Sequence, residues 1–142
     1  MSNQLFTNYS TAKTFVFDNR YSKETFEYTN NDVTTVTFPV GTVLGRISAT
    51  QKIVPLASGA ADGSNIPVGI LAEEISVEYG ESYSEEAAFC NYGDVVESQL
   101  SFDGSDDLDT VISGRSLRDR IAADTVGIRL IASTDLTGTD NA

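Results

Sequence analysis

Histidine and tryptophan are absent from this sequence, and cysteine and methionine occur once each. Without histidine there is no imidazole for acid–base work, so Ser-His-Asp and Cys-His nucleophiles and histidine metal sites are excluded. One cysteine, Cys90, allows neither an internal disulfide nor a thiolate zinc cluster. It follows Ala87, Ala88 and Phe89, and the nearest basic residue in sequence is Arg115. Cys90 therefore reads as a small buried hydrophobe and not as an activated thiol. Positive charge is scarce as well: 9 Lys and Arg stand against 21 Asp and Glu, a net charge of −12. This balance argues against a partner held mainly through phosphates, and no nucleic-acid partner is expected, because each phosphate contact wants a neutralising cation. No apolar run approaches the roughly 20 residues of a membrane span. The opening MSNQLFTNYS has neither the basic nor the apolar region of a signal peptide, so synthesis and retention in a cytosol are expected. Glycosylation at the Asn8-Tyr9-Ser10 pattern is not expected without export.

What is present is β-rich. A chain of 142 residues, 40% of them hydrophobic, fits one domain with a short appendage. Eight of the 13 aromatic residues lie in the first 38 positions: Phe6, Tyr9, Phe15, Phe17, Tyr21, Phe26, Tyr28 and Phe38. Alternation puts Phe15 and Phe17 on one face of a strand over 13–17, and Phe26 and Tyr28 on one face of a strand over 24–28. Asp18-Asn19 and Asn30-Asn31-Asp32 suit turns between these runs and a β-branched strand over 33–38. Two readings of this segment stand: a β-meander within the core, or an arm that pairs with another chain through its aromatic face. Further strands are predicted over 42–47, 52–54, 67–71, 74–79, 87–92 and 94–100. The apolar 67–71 has the look of a strand buried on both faces. Leu108, Val111 and Ile112 have helical spacing behind Asp106 and Asp107, which predicts a helix ending at Ser113-Gly114. A second helix holding Leu117 and Ile121 is predicted to start at Ser116, with Asp119 completing a weak capping box. Gly127 opens a last strand.

Thirteen acidic residues and no basic one lie between Ile53 and Gly114. This is read as a solvated face, with a cation site at 103–109 as the alternative. That stretch departs from a calcium loop in two diagnostic places: glycine stands second, and Gly114 occupies the position of the bidentate glutamate. Paired carboxylates for glycoside hydrolysis lack aromatic platforms, and the glycines form no dinucleotide or phosphate loop. Arg115, Arg118 and Arg120 stand at helical pairing distances from Asp119 and Asp124 and read as surface ion pairs. No catalytic, cofactor or metal residues are assigned.

Several short motifs agree in order and spacing: GTVLGRI at 41–47, KIVP at 52–55, AADGS at 60–64 and PVGIL at 67–71. With GDVV at 93–96, Leu100 and the helix-to-strand ending 117–131, they resemble the head decoration proteins of tailed bacteriophages of the lambda-like type. Gly41, Gly45, Pro55, Asp62, Gly63, Pro67 and Gly69 carry the resemblance, which extends over about 35–133. It implies a mainly β, compact, barrel-like or sandwich-like single domain with a short helix near the C-terminus and an extended N-terminal arm. It also implies a non-enzymatic virion protein without cofactors, made in the host cytoplasm. Such a protein would bind the major capsid protein on the outer capsid surface, as homotrimers at threefold positions, and stabilise the shell. The expected organisation is 1–38 as arm and aromatic-rich strands, 39–134 as the decoration-type domain and 135–142 as a polar tail. Phe6, Tyr9, Phe15, Phe17 and Tyr21 are the expected capsid contacts. The N-terminus is longer and more aromatic than the resemblance calls for, which leaves the path of the arm open. The alternatives are another virion β-protein, of tail or baseplate, and a small acidic binding module or hydrolase unrelated to phages.

Overall fold

The computed structural model describes residues 13–125 and 127–132. Along the chain run β1 (Phe15–Thr29), β2 (Val36–Phe38), β3 (Val43–Arg46), β4 (Ile53–Pro55), β5 (Pro67–Leu71), β6 (Ile75–Val77), β7 (Ser82–Val96), β8 (Val111–Ile112), β9 (Arg115–Ser116), α1 (Leu117–Asp124) and β10 (Gly127–Ile131). A single 3-10 turn, Glu97–Gln99, follows β7. The fold is mainly β with one short helix near the C-terminus, as expected from the pattern.

Five strands close a barrel in the order β1-β4-β3-β5-β7, with β1 pairing again with β7 to shut the ring. Closure removes the edges that an open sheet would leave unpaired. β10 adds to β7 in parallel, outside the ring. β2 and β6 form a separate ribbon, Val36 opposite Val77 and Phe38 opposite Ile75.

Because side chains alternate along a strand, the same strands feed two cores. Leu44, Leu71 and Phe89 join Phe26, Ile53 and the β2–β6 ribbon in one cluster. Their neighbours Val43, Ile70 and Cys90 join Leu117, Ile121 and Ile128 in the other, which α1 covers. This is why β5 reads as continuously apolar: both of its faces are buried. In the first core Phe26 meets Phe38 and Tyr83 edge-on, with ring centroids 5.5 and 5.9 Å apart. Cys90 is buried, as its neighbours imply.

Three expectations are corrected. The strands predicted at 13–17 and 24–28 are one strand, β1, and Asp18-Asn19 does not reverse the chain. Asp18 takes φ 51, and the β1–β7 register shifts between Phe15 and Tyr21, so these residues form a bulge. Likewise, 87–92 and 94–100 are not separate strands, because β7 runs through Gly93. Gly93 sits opposite the bulge at φ 114, and a Cβ there would lie 2.7 Å from the Asp18 carbonyl oxygen. Glycine is what lets the two long strands stay paired past the irregularity.

The third correction is that 106–112 is a loop entering the β8–β9 hairpin, not a helix. Asp107 accepts from the Asp109 backbone N–H at 2.9 Å, while Thr110 Oγ1 accepts from the Asp107 N–H at 2.9 Å. These local bonds compete with helical ones. Leu108 and Ile112 still reach the second core, which accounts for their apolar spacing. The loop also starts α1: Leu117 N–H donates to Thr110 O at 2.7 Å and Arg118 N–H to Leu108 O at 3.0 Å. The Asp119 N–H donates to Ser116 Oγ at 3.3 Å, the predicted cap. Three of the four donors that a helix start leaves unpaired are thereby met.

Candidate functional site

β1 lies in two environments. From Glu24 to Thr29 it is paired with β7 and, at Phe26 opposite Ile53, with β4. Glu24 receives the guanidinium fork of Arg46, and Lys52 donates to Glu27 at 3.0 Å. From 15 to 23 its neighbour is β7, and among the described residues no strand lies on the other edge. Here Phe17 is 70% and Tyr21 53% exposed. Phe15 is half-buried, packed on the second core, and holds the Tyr21 ring edge-on at 5.6 Å. Of the five arm residues singled out from the sequence, Phe15, Phe17 and Tyr21 thus share this open half, and Phe6 and Tyr9 lie outside the described residues, as does the polar tail 135–142.

A shallow depression adjoins the open half, lined by Phe17, Asp18, Tyr92, Gly93, Gly127 and Arg129. The Tyr92 ring in this lining occupies the space a side chain at 127 would fill: a Cβ on Gly127 would come within 2.6 Å of it. Arg20 lies over the same ring, its guanidinium carbon 4.5 Å from the centroid. Arg129 grips Asp94 with two bonds, 3.0 and 2.8 Å. Those hydrogen bonds, helped by the opposite charge, hold the Asp94 carboxyl below its ordinary range. Arg20, Tyr92 and Arg129 do not stand out in the sequence, and Gly127 does so only as the start of a strand, because the contacts join strands far apart in the chain and leave no spacing signal.

The motif residues sit elsewhere and build the barrel. Gly45 is buried with the Ser64 backbone oxygen 2.2 Å from where its Cβ would be, and Gly69 is packed against the Phe89 ring. Asp62 accepts from the Ser64 N–H and hydroxyl at 3.0 and 2.6 Å, closing the loop that presses on β3. Gly63 backs onto Arg46 and Ser48, Gly41 onto the Gln99 carbonyl, and Pro55 and Pro67 are buried.

In the acidic stretch, Asp106 accepts from the Ser58 N–H and hydroxyl at 3.0 and 2.6 Å and so pins the 103–109 loop to the 57–66 loop. Among the described residues no group of three or more potential ligands is gathered to hold a metal. Of the C-terminal arginines, Arg120 pairs with Asp124 at 3.2 Å as its spacing implies, whereas Arg118 reaches Glu97 across the molecule.

The described residues thus form a closed barrel that exposes a strand edge, aromatic rings and stacked or paired arginines. Its family follows from the sequence. The family of bacteriophage lambda head decoration protein D matches residues 14–112, well over half of the chain, and the chain belongs to that family. It is a structural protein of the phage virion, of the capsid decoration kind. No curated protein matches the chain. No helix among the described residues is long and apolar enough to cross a membrane.

Proposed function

We propose that this protein binds the outer surface of its phage capsid as homotrimers at threefold positions and staples neighbouring major capsid subunits together, with residues 1 to about 30 as the stapling element. The observation that carries this is the open half of β1. A paired strand that leaves one edge unpartnered, beside Phe17 and Tyr21, is a template for a foreign strand. Backbone hydrogen bonds would fix the register, and each ring fully covered would contribute about 1.5–3 kcal/mol. Three arms per trimer and many trimers per shell then act together, so modest single contacts stabilise a large particle. The family supports a non-catalytic role, and on this reading the acidic remainder of the chain faces solvent. The aromatic-rich segment 1–38 is then part dock and part scaffold, since residues 24–38 contribute Phe26 and Phe38 to the first core.

The test removes the dock and spares the scaffold. A variant lacking residues 1–11 and carrying Phe17→Ser and Tyr21→Ser is expected to fold and to leave bare shells uncoated in a sedimentation assay. Phe15 is kept because it packs on the second core. Coating at unchanged affinity by that variant would show the stapling element to be elsewhere.

A further inference from the structure

We infer that the strand docking on residues 15–23 is acidic and seats a carboxylate on Arg20. This rests on the reading of β1 as the capsid-binding edge, and adds what that edge selects. The chain as a whole carries −12, yet up to position 23 it holds Lys13, Arg20 and Lys23 against Asp18 alone. Within the open half itself Arg20 and Lys23 stand against Asp18, so this part of β1 is net positive on a negative molecule. Most cations elsewhere are already committed. Arg46, Lys52, Arg118, Arg120 and Arg129 each hold a carboxylate. Arg20 and Lys23 have no carboxylate partner among the described residues, and both are exposed.

Arg20 differs from a loose surface arginine in one respect: it lies on the Tyr92 ring, 4.5 Å from the centroid. Stacking holds a guanidinium in a plane and leaves its N–H edge free to donate. A planar, oriented fork is the geometry that a carboxylate accepts with two parallel bonds. The Tyr92 ring is itself set in place by the missing side chain at Gly127, so the fork is preorganised by the barrel. The exposed ring of Phe17 lines the same depression as Tyr92 and would be covered together with it once a strand is added. A basic or neutral partner strand would bring Arg20 and Lys23 against an edge without acceptors for their charge. An acidic one answers both, and these local pairs act against the longer-range repulsion that the remaining carboxylates exert on it.

The experiment compares wild-type, Arg20→Lys, Arg20→Glu and Lys23→Glu proteins in coating bare shells of the phage's own major capsid protein. The expected result for Arg20→Glu is a coating midpoint shifted by roughly tenfold or more, with an unchanged melting curve because the residue is exposed. Arg20→Lys keeps the charge without the fork and should fall between that variant and wild type. Lys23→Glu should shift the midpoint in the same direction. Raised salt should weaken wild-type coating more than Arg20→Glu coating. Equal midpoints for wild type and Arg20→Glu would overturn the inference and leave the stapling reading standing. Failure of wild type to coat at all would instead sink the stapling reading. If Arg20→Glu coats normally but sediments differently as free protein, the carboxylate belongs to a second copy of the chain, and the inference is overturned.

Discussion

The two halves of β1 are one strand with one partner in common, yet they do opposite things. From 24 to 29 the strand is a barrel stave: Phe26 has no exposed surface, and its flanking carboxylates are matched to Arg46 and Lys52. From 15 to 23 the same backbone carries Phe17 at 70% exposure and two cations that have no carboxylate partner among the described residues. The bulge at Asp18 and Asn19 lies within the open half, where pairing is irregular. An aromatic residue on a strand is thus not by itself a core residue or a contact residue. What decides is what covers its ring: Phe26 lies within the first core and Phe15 packs on the second, while Phe17 is left exposed. On its far side β1 meets β4 at Phe26, and 15–23 have no strand there among the described residues.

The sharpest way to break this comparison is to truncate one ring in each half. Phe26→Ala should cost about 3–5 kcal/mol, because a filled site in the first core is left as a cavity. Phe17→Ala should stay within about 0.5 kcal/mol. Urea unfolding monitored by circular dichroism measures both, and comparable losses would mean that the open half is core after all. A smaller effect is expected where the stave ends. Asn30 is fully buried. Its side-chain nitrogen donates to Thr34 O and Val77 O, both at 2.9 Å, and its oxygen accepts from the Asp32 N–H at 2.8 Å. Asn30→Ala should cost roughly 1–3 kcal/mol, since it strands polar groups that the fold has removed from water. Chemical unfolding midpoints check this, and a loss within error would show that the β1 terminus is held by backbone bonds alone.

The smallest effect concerns charge. Burial, together with the nearby carboxylates of Asp32 and Asp106, raises the Asp103 carboxyl above its ordinary value, against a lowering hydrogen bond from Gly104. The native state therefore takes up this proton more readily than the unfolded chain does. Stability at this site falls as pH rises from the ordinary carboxyl value through the raised one, and at neutral pH the charge is a net cost. Asp103→Asn should raise the melting temperature slightly at pH 7, by less than about 1 kcal/mol in stability because the group is partly solvated. The gain should vanish as the pH drops below the carboxyl range. A destabilised Asn variant at pH 7 would mean that the Asp103 charge is used in the fold.

Much of the fold was legible because local chemistry and burial agree. Pro67–Leu71 is apolar throughout since two cores claim it, and Ser116 with Asp119 marks the helix start that forms. The misreadings share a cause: a local signal met a long-range partner. Asp18-Asn19 has turn composition, but β7 holds the chain straight on both sides of it. Leu108 and Ile112 have helical spacing, but side-chain bonds around Asp107 fold the segment as a loop that satisfies the first N–H groups of α1. Aromatic enrichment near the N-terminus marked out Phe17 and Tyr21, and both are exposed. The Arg20–Tyr92–Gly127 stack was not, because nothing in residue order tells which strands will lie side by side.

The pairing of β1 with β7 runs through twelve matched positions, from Phe15 opposite Val95 to Thr29 opposite Ser82. A tug on the docked end along the strand axis loads that ladder in shear. Its rungs then share the force and yield together instead of peeling apart one after another. The same antiparallel length leads the tension into the centre of the barrel, where β7 also meets β5 and β10. A module of this design resists extension most along one direction, so in the stapling role proposed above its strength would depend on how it is oriented as much as on how tightly it holds.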